Sequence, residues 1–142
     1  MTDIFYDNIE KSTIKNDNYR NVQYTHPGGM QFVLMSIKPG VEIGMEIHDT
    51  HDQFIRIEKG TGELQIKKNN KIKKYKLYDG IGIIIPSGTF HNVINTGKDE
   101  LKIYNIYTPP EHKHGLIQKE KEEKEEKQEG GSNYYKFNNL LN

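Results

Sequence analysis

Apolar and polar residues alternate along most of the chain between positions 21 and 108. Alternation with a period of two is typical of β-strands, because successive side chains of a strand point to opposite faces. Glycine, proline or asparagine separates the alternating runs, and many short strands at a spacing of about 8–12 residues indicate an all-β sandwich or barrel. The predicted strands cover residues 30–37, 41–48, 53–60, 63–77 (as a hairpin), 81–86, 90–95 and 101–108.

Two local signals add a turn and a helix to this pattern. Asn69 and Asn70 separate two lysine-rich segments, and asparagine tolerates the left-handed conformations of a tight hairpin turn. Asn8 precedes the segment 9–15, and asparagine is a favoured N-cap. We therefore expect a short N-terminal helix and a hairpin turning at Asn69–Asn70. The hairpin lysines are expected to protect an edge strand rather than to bind phosphate.

The pattern divides the chain into three parts. Residues 1–20 form a polar lead with the short helix, residues 21–116 form the barrel, and residues 117–142 form a Lys/Glu-rich tail with an aromatic C-terminus. Glu–Lys pairs four residues apart favour a solvated helix in the tail, whereas the high charge content also suits disorder.

The composition narrows the classes of function. The 20 basic and 20 acidic residues cancel, so neither a nucleic acid nor an anionic membrane is an expected partner. The sequence contains neither a long apolar run nor a signal peptide pattern, so we expect a cytoplasmic protein. The absence of cysteine excludes disulfides and thiolate chemistry.

Candidate metal ligands gather around the segment that reads MEIHDTHDQF. In a regular strand at 41–48, Glu42, Glu46 and His48 share one face, whereas His51 falls in the following turn and is expected to be exposed. Gln53 opens the next strand.

His91 opens a later strand and supplies a second imidazole. The imidazoles of His48 and His91, the Glu46 carboxylate and the Gln53 carboxamide make a mixed nitrogen and oxygen site, which suits divalent zinc, manganese, iron or nickel. Each assignment has a structural alternative. A buried histidine can be a hydrogen-bonded core residue, a buried glutamate can form an ion pair, and Gln53 can contact a substrate instead of a metal.

The strand period also sorts the neighbouring residues. Arg56 and Glu58 lie on the face opposite Gln53 and should point away from the site. Tyr104 and Tyr107 lie on opposite faces of one strand, so at most one of them lines the cavity, where a phenol can transfer a proton.

The spacing of these residues resembles the two motifs of the cupin superfamily. The first motif is Gly-x5-His-x-His-x3,4-Glu-x6-Gly, and this chain keeps its spacing with a glutamate at the first histidine position and a glutamine at the glutamate position: Gly40, Glu46, His48, Gln53 and Gly60. The second motif is Gly-x5-Pro-x-Gly-x2-His-x3-Asn, and this chain matches it at every position: Gly80, Pro86, Gly88, His91 and Asn95.

This resemblance implies a cupin double-stranded β-helix, a jelly-roll barrel, with a divalent metal held by Glu46, His48, Gln53 and His91. The chain is further similar to the mannose-6-phosphate isomerase-like subgroup, which implies a sugar or sugar-phosphate isomerase or epimerase acting on a small molecule. A metal-dependent oxygenase and a non-catalytic carbohydrate-binding cupin remain the alternatives. Many cupins form homodimers, so we expect a homodimer.

Overall fold

Antiparallel strands account for most of the regular structure in the computed structural model, which describes residues 3–121. The elements are α1 Ile9–Lys15, β1 Arg20–Thr25, β2 Gln31–Ile37, β3 Asp52–Lys59, β4 Gly62–Lys68, β5 Lys71–Leu77, β6 Gly82–Ile85, β7 Phe90–Ile94, β8 Leu101–Thr108 and β9 Ile117–Gln118. The predicted all-β class and the short N-terminal helix are confirmed.

The strands form two sheets. The larger sheet has the order β6-β3-β8-β2-β1-β9, and the smaller has the order β5-β4-β7. Apolar side chains from both sheets form one core, which includes Met35, Ile55, Ile57, Leu64, Val93 and Ile103. Two antiparallel sheets that share a core form the sandwich of a jelly roll, which confirms the predicted architecture.

The local predictions at the helix and the hairpin are also confirmed. The Asn8 side chain accepts a hydrogen bond from the backbone N–H of Lys11 at 3.0 Å and caps α1. Asn69 and Asn70 have φ values of 52° and 63° between β4 and β5, as a two-residue hairpin turn requires. The lysine-rich β5 lies at the edge of the smaller sheet.

The segment 41–48 departs from the expected regular strand. It makes only two isolated bridges to β7, from Glu42 to Ile94 and from Glu46 to His91. Between these two bridges the segment advances by four residues, from 42 to 46, whereas β7 advances by three, from 91 to 94. The one extra residue makes a β-bulge. Gly44 lies within the bulge with a φ of 106°, a conformation that glycine adopts at little cost.

The bulge reverses the predicted alternation of side chains. Glu42 binds the side chain of Asn92, whereas Glu46 lies beside His91, and adjacent residues of a strand point to opposite faces. The expectation that Glu42 shares a face with Glu46 and His48 is therefore wrong. Because Val41 packs against the core before the bulge, the extra residue lets the same segment place both apolar side chains and polar ligands inside the barrel.

Strands β1 and β9 were not predicted. β9 has two residues, too few for a periodic signal, and it lies just beyond the predicted end of the barrel at residue 116. The three-part division of the chain stays a prediction, and the predicted tail features from residue 122 onwards lie outside the described residues. Within residues 3–121, no helix has both the length and the apolar character needed to span a lipid bilayer.

Candidate metal centre

Glu46, His48 and His91 converge inside the barrel. Their potential ligand atoms all lie within 4.8 Å of one another. The Oε2 atom of Glu46 is 3.5 Å from Nε2 of His48 and 3.6 Å from Nε2 of His91. A pair of backbone hydrogen bonds of 2.9 Å joins Glu46 to His91 in both directions. This bridge brings together two ligand positions that are far apart in the sequence.

Both imidazoles present the Nε2 atom to the centre. Nδ1 of His91 is 2.9 Å from the carbonyl oxygen of Thr89. A carbonyl only accepts, so Nδ1 carries a proton, and Nε2 is the ring nitrogen that can offer a lone pair to a metal. Nδ1 of His48 is 3.5 Å from the carboxylate of Glu111. Within the described part of the chain, neither Nε2 atom has a hydrogen-bond partner, although both are buried.

Gln53 lies in β3 and is almost completely buried. Its side-chain nitrogen donates to the side-chain oxygen of Asn105 at 2.9 Å and to the hydroxyl of Tyr107 at 3.3 Å. Its side-chain oxygen is buried without a hydrogen-bond partner among residues 3–121. The amide is therefore oriented with a free acceptor, as a ligand would need, and its place as the fourth ligand stays a prediction.

The charges at the centre also suit a cation. Burial raises the pKa of Glu46, but the imidazoles of His48 and His91 outweigh burial and hold this pKa well below its usual range. Burial lowers the pKa of His48, but the carboxylates of Glu46 and Glu111 raise it further, to about 10. Without a metal, a protonated imidazole therefore lies between two carboxylates, and a divalent cation can replace that proton.

These observations fit a metal site. Buried polar atoms almost always have hydrogen-bond partners. Here both Nε2 atoms make only the contacts of 3.5 Å and 3.6 Å with Glu46, and the side-chain oxygen of Gln53 has no partner among residues 3–121, which a bound metal ion would explain. A histidine that binds a metal usually donates its other N–H to a carbonyl or carboxylate, and both imidazoles here have such an acceptor. With no thiolate present, the donor set matches a catalytic rather than a structural zinc-type centre.

His51 and Glu111 lie next to this cluster. The expectation that His51 is exposed is wrong, because its side chain is only 18% exposed and its Nδ1 is 3.4 Å from Glu111. Its Nε2 is 2.8 Å from the carbonyl oxygen of Pro110. His51 supplies no atom to the cluster of Glu46, His48 and His91. Nothing in the local sequence around Glu111 identified it as a neighbour of the site.

Tyr107 and His112 form a second pair of polar groups beside the centre. The Tyr107 ring lies 5.8 Å from the His48 ring and 5.1 Å from the His112 ring. Burial and the charge of Glu46 raise the pKa of Tyr107 well above its usual value. Burial and the positive charge of Arg20 lower the pKa of His112 well below its usual value. Both groups are therefore neutral near pH 7.

The predicted sorting of residues by face is confirmed. Tyr107 is 2% exposed in the core, whereas Tyr104 packs against Phe54 on the other face of the larger sheet. Arg56 and Glu58 lie 3.9 Å apart on that outer face, away from the metal cluster.

Comparison with known proteins places these features in a family. Residues 33–107 match the family model described as the cupin domain. The structure of BH2720 from Bacillus halodurans superimposes with a TM-score of 0.79 at 42% identity, over 82% of this chain and 89% of that one. The chain therefore belongs to the cupin family.

Two further relatives match at similar identity. The chain is 41% identical to YrkC of Bacillus subtilis (strain 168) over 119 residues, which cover 82% of this chain and 63% of YrkC. The chain thus spans less than two thirds of YrkC. It is also 41% identical to L612 of Acanthamoeba polyphaga mimivirus over 144 residues, which cover 94% of this chain and 86% of L612.

Proposed function

We propose that this protein is a metal-dependent enzyme of the sugar isomerase or epimerase type, as its resemblance to mannose-6-phosphate isomerase-like cupins implies. In this proposal Glu46, His48 and His91 bind a divalent transition metal, with Gln53 as the fourth ligand. The observation that carries the metal site is the convergence of three donor atoms within 4.8 Å, with each imidazole oriented by an acceptor at Nδ1.

The donor set favours catalysis over a purely structural role. Four protein ligands or fewer, all nitrogen or oxygen, leave coordination positions for a substrate. When bound, such a metal polarises a carbonyl or hydroxyl oxygen of the substrate as a Lewis acid. The two carboxylates of Glu46 and Glu111 together balance the charge of a divalent cation.

Isomerisation next to a carbonyl needs one group that gives a proton and one that takes it. Tyr107 keeps its proton near neutral pH, and the adjacent His112 stays unprotonated. Neighbouring groups whose pKa values are moved apart are candidates for such an acid–base pair. Neither residue belongs to the proposed ligand set, so both remain available for proton transfer.

The charges around the centre favour a neutral sugar over a phosphorylated one. The carboxylates of Glu46 and Glu111 lie against His48 and neutralise a bound divalent cation, so the centre keeps no net positive charge that would attract an anionic phosphate. Arg56 lies on the outer face beside Glu58, and Arg20 binds the side chain of Gln118.

Elemental analysis of the full chain, purified without chelators, tests the metal site. We expect about one zinc, manganese, iron or nickel ion per chain, and a marked loss in His91→Ala but not in Glu10→Gln, an exposed control. No binding even after reconstitution would overturn the proposal.

Turnover of the metal-loaded protein tests the reaction. We expect interconversion of aldoses and ketoses, or epimerisation, when a panel of neutral sugars and their phosphates is followed by NMR in D2O. Bound iron with oxygen consumption would instead support an oxygenase. Sugar binding without turnover would support a non-catalytic binding protein.

The oligomeric state and location belong to the same proposal. We propose a homodimer, because many cupins dimerise, and the cytoplasmic location stays a prediction. Light scattering should give twice the mass of one chain, and the mass of a single chain would contradict the dimer.

A further inference from the structure

We propose that Glu111 is a positioning residue of the metal centre, which holds the His48 imidazole so that its Nε2 atom faces the metal. This inference rests on the proposed metal site and adds a residue that lies outside both motifs of the family. Glu111 follows β8 in the segment that leads to β9.

The Glu111 carboxylate lies between two imidazoles. One oxygen lies 3.5 Å from Nδ1 of His48. The other lies 3.4 Å from Nδ1 of His51, a nitrogen whose nearer neighbour is the hydroxyl of Thr50 at 3.0 Å. His51 is itself held at Nε2 by the carbonyl oxygen of Pro110 at 2.8 Å. The Glu111 side chain is only 18% exposed, so little solvent competes for its oxygens. The carboxylate is therefore confined between the ligand imidazole and an imidazole outside the cluster.

Gln31 fixes the backbone that carries Glu111. The side-chain oxygen of Gln31 accepts from the backbone N–H of Glu111 at 3.1 Å and from that of His112 at 2.9 Å. The side-chain nitrogen of Gln31 donates to the carbonyl oxygen of His112 at 2.8 Å. Gln31 is fully buried in β2, so three hydrogen bonds tie the segment after β8 to the rigid larger sheet.

The two ligand imidazoles differ in their outer acceptors. His91 donates to the neutral carbonyl of Thr89, whereas His48 faces a carboxylate. A carboxylate behind a metal-binding histidine fixes the ring orientation and strengthens the histidine as a ligand. Glu111 also adds a second negative charge near the cation, which increases the attraction for a divalent ion. Both effects predict tighter metal binding without any contact between Glu111 and the metal.

Titration of the apoprotein with Co²⁺ tests this role. Calorimetry gives the Kd, and the visible absorption of Co²⁺ reports its coordination. Loss of an outer residue of this kind weakens metal binding by about 10–100-fold. We expect about a tenfold rise in Kd for Glu111→Gln, a larger rise for Glu111→Ala, and partial recovery for Glu111→Asp. The Co²⁺ spectrum at saturation should keep its form, because the ligands are unchanged.

Controls separate this role from folding and from the proposed site. Glu10→Gln removes a carboxylate from the exposed face of α1 and should leave the Kd unchanged. Circular dichroism of each apoprotein checks that the variant is folded, and a misfolded Glu111→Ala leaves Glu111→Gln and Glu111→Asp for the comparison.

Three outcomes would overturn the inference. A Glu111→Gln Kd equal to that of the unaltered protein would remove the role of Glu111 and leave the metal site intact. A changed coordination spectrum at saturation would make Glu111 a ligand instead of a positioning residue. Failure of the unaltered protein to bind any metal would remove the proposed centre and this role with it.

Discussion

Replacement of His91 should abolish tight metal binding, whereas replacement of His51 should not. The two histidines lie close to the same site, but only His91 contributes an atom to the cluster with Glu46 and His48. His51 lies beside the His48 ring, with 6.1 Å between the ring centroids, and its Nδ1 is 3.4 Å from Glu111, but it offers no ligand atom to the cluster. The pair of variants therefore distinguishes a ligand from a neighbouring imidazole.

The expected magnitudes follow from these positions. Loss of an outer residue weakens metal binding by about 10–100-fold, so loss of a ligand should exceed about 100-fold, or about 2.8 kcal/mol at about 1.4 kcal/mol for each factor of ten. His91→Ala removes one of the three convergent donor atoms, so we expect the larger loss that follows removal of a ligand. His51→Ala removes contacts to the Glu111 carboxylate and to the His48 ring but no ligand atom, and we expect less than about a tenfold change in Kd.

Calorimetric titration of both apoproteins with Zn²⁺ measures this difference. His91 is 2% exposed, so its truncation also leaves a cavity, and circular dichroism should establish that the variant is folded. His91→Gln, which preserves more of the side-chain volume, provides a second comparison. Equal losses of affinity in His91→Ala and His51→Ala would refute the assignment of ligands.

Three further predictions concern stability and its link to the site. The pKa of His48 is raised from 6.5 to about 10 in the folded apoprotein, so the stability that its protonation contributes is complete below pH 6.5 and is lost as the pH rises through about 10. The melting temperature of the apoprotein should fall over that interval, while the affinity for Zn²⁺ rises. A melting temperature that rises or an affinity that falls would contradict the place of His48 between the two carboxylates. Gly60→Ala should destabilise the protein by about 2–5 kcal/mol, because φ is 103° and the new Cβ lies 2.9 Å from the backbone oxygen of Glu100. Gly40→Ala, with a φ of 80° and free space around the Cβ, should cost only about 1–2 kcal/mol. Urea unfolding measures both losses, and equal losses would exclude the backbone clash as the cause. Asn95→Ala should lower the free energy of unfolding by more than about 2 kcal/mol, because the buried Asn95 side chain makes hydrogen bonds with the backbone of Ile37, Gly97 and Asp99. The Co²⁺ affinity of the folded variant should be unchanged. A large loss of Co²⁺ affinity would give Asn95 a direct role in the centre.

Local chemistry in the sequence accounts for much of the fold. Asn8 caps α1 and Asn69–Asn70 turn the hairpin, because each conformation depends on the residue itself and its nearest neighbours. The period of two identified most of the strands. The resemblance to the cupin motifs brought His48 and His91 into one candidate site although 42 residues separate them in the sequence.

The regular period was misleading at the bulge around Gly44. A strict alternation puts Val41 and Glu46 on opposite faces, so a sequence pattern predicts that only one of them faces the core. The extra residue between the bridges at Glu42 and Glu46 allows both to face inwards. Such an insertion depends on pairing with β7, which the residues of the segment do not reveal by themselves.

The sequence by itself determined the strand-rich class, the helix, the hairpin turn and the candidate ligands, because short-range conformational preferences and motif spacing encode these features. Only the tertiary structure decided which polar groups surround those ligands. Glu111 reaches His48 because Gln31, 80 positions earlier, binds its backbone, and His51 lies beside them with its Nε2 held by the Pro110 carbonyl. These contacts join segments that are distant in sequence, and they form only once the pairing of β2 with β8 has placed the end of β8 beside Gln31.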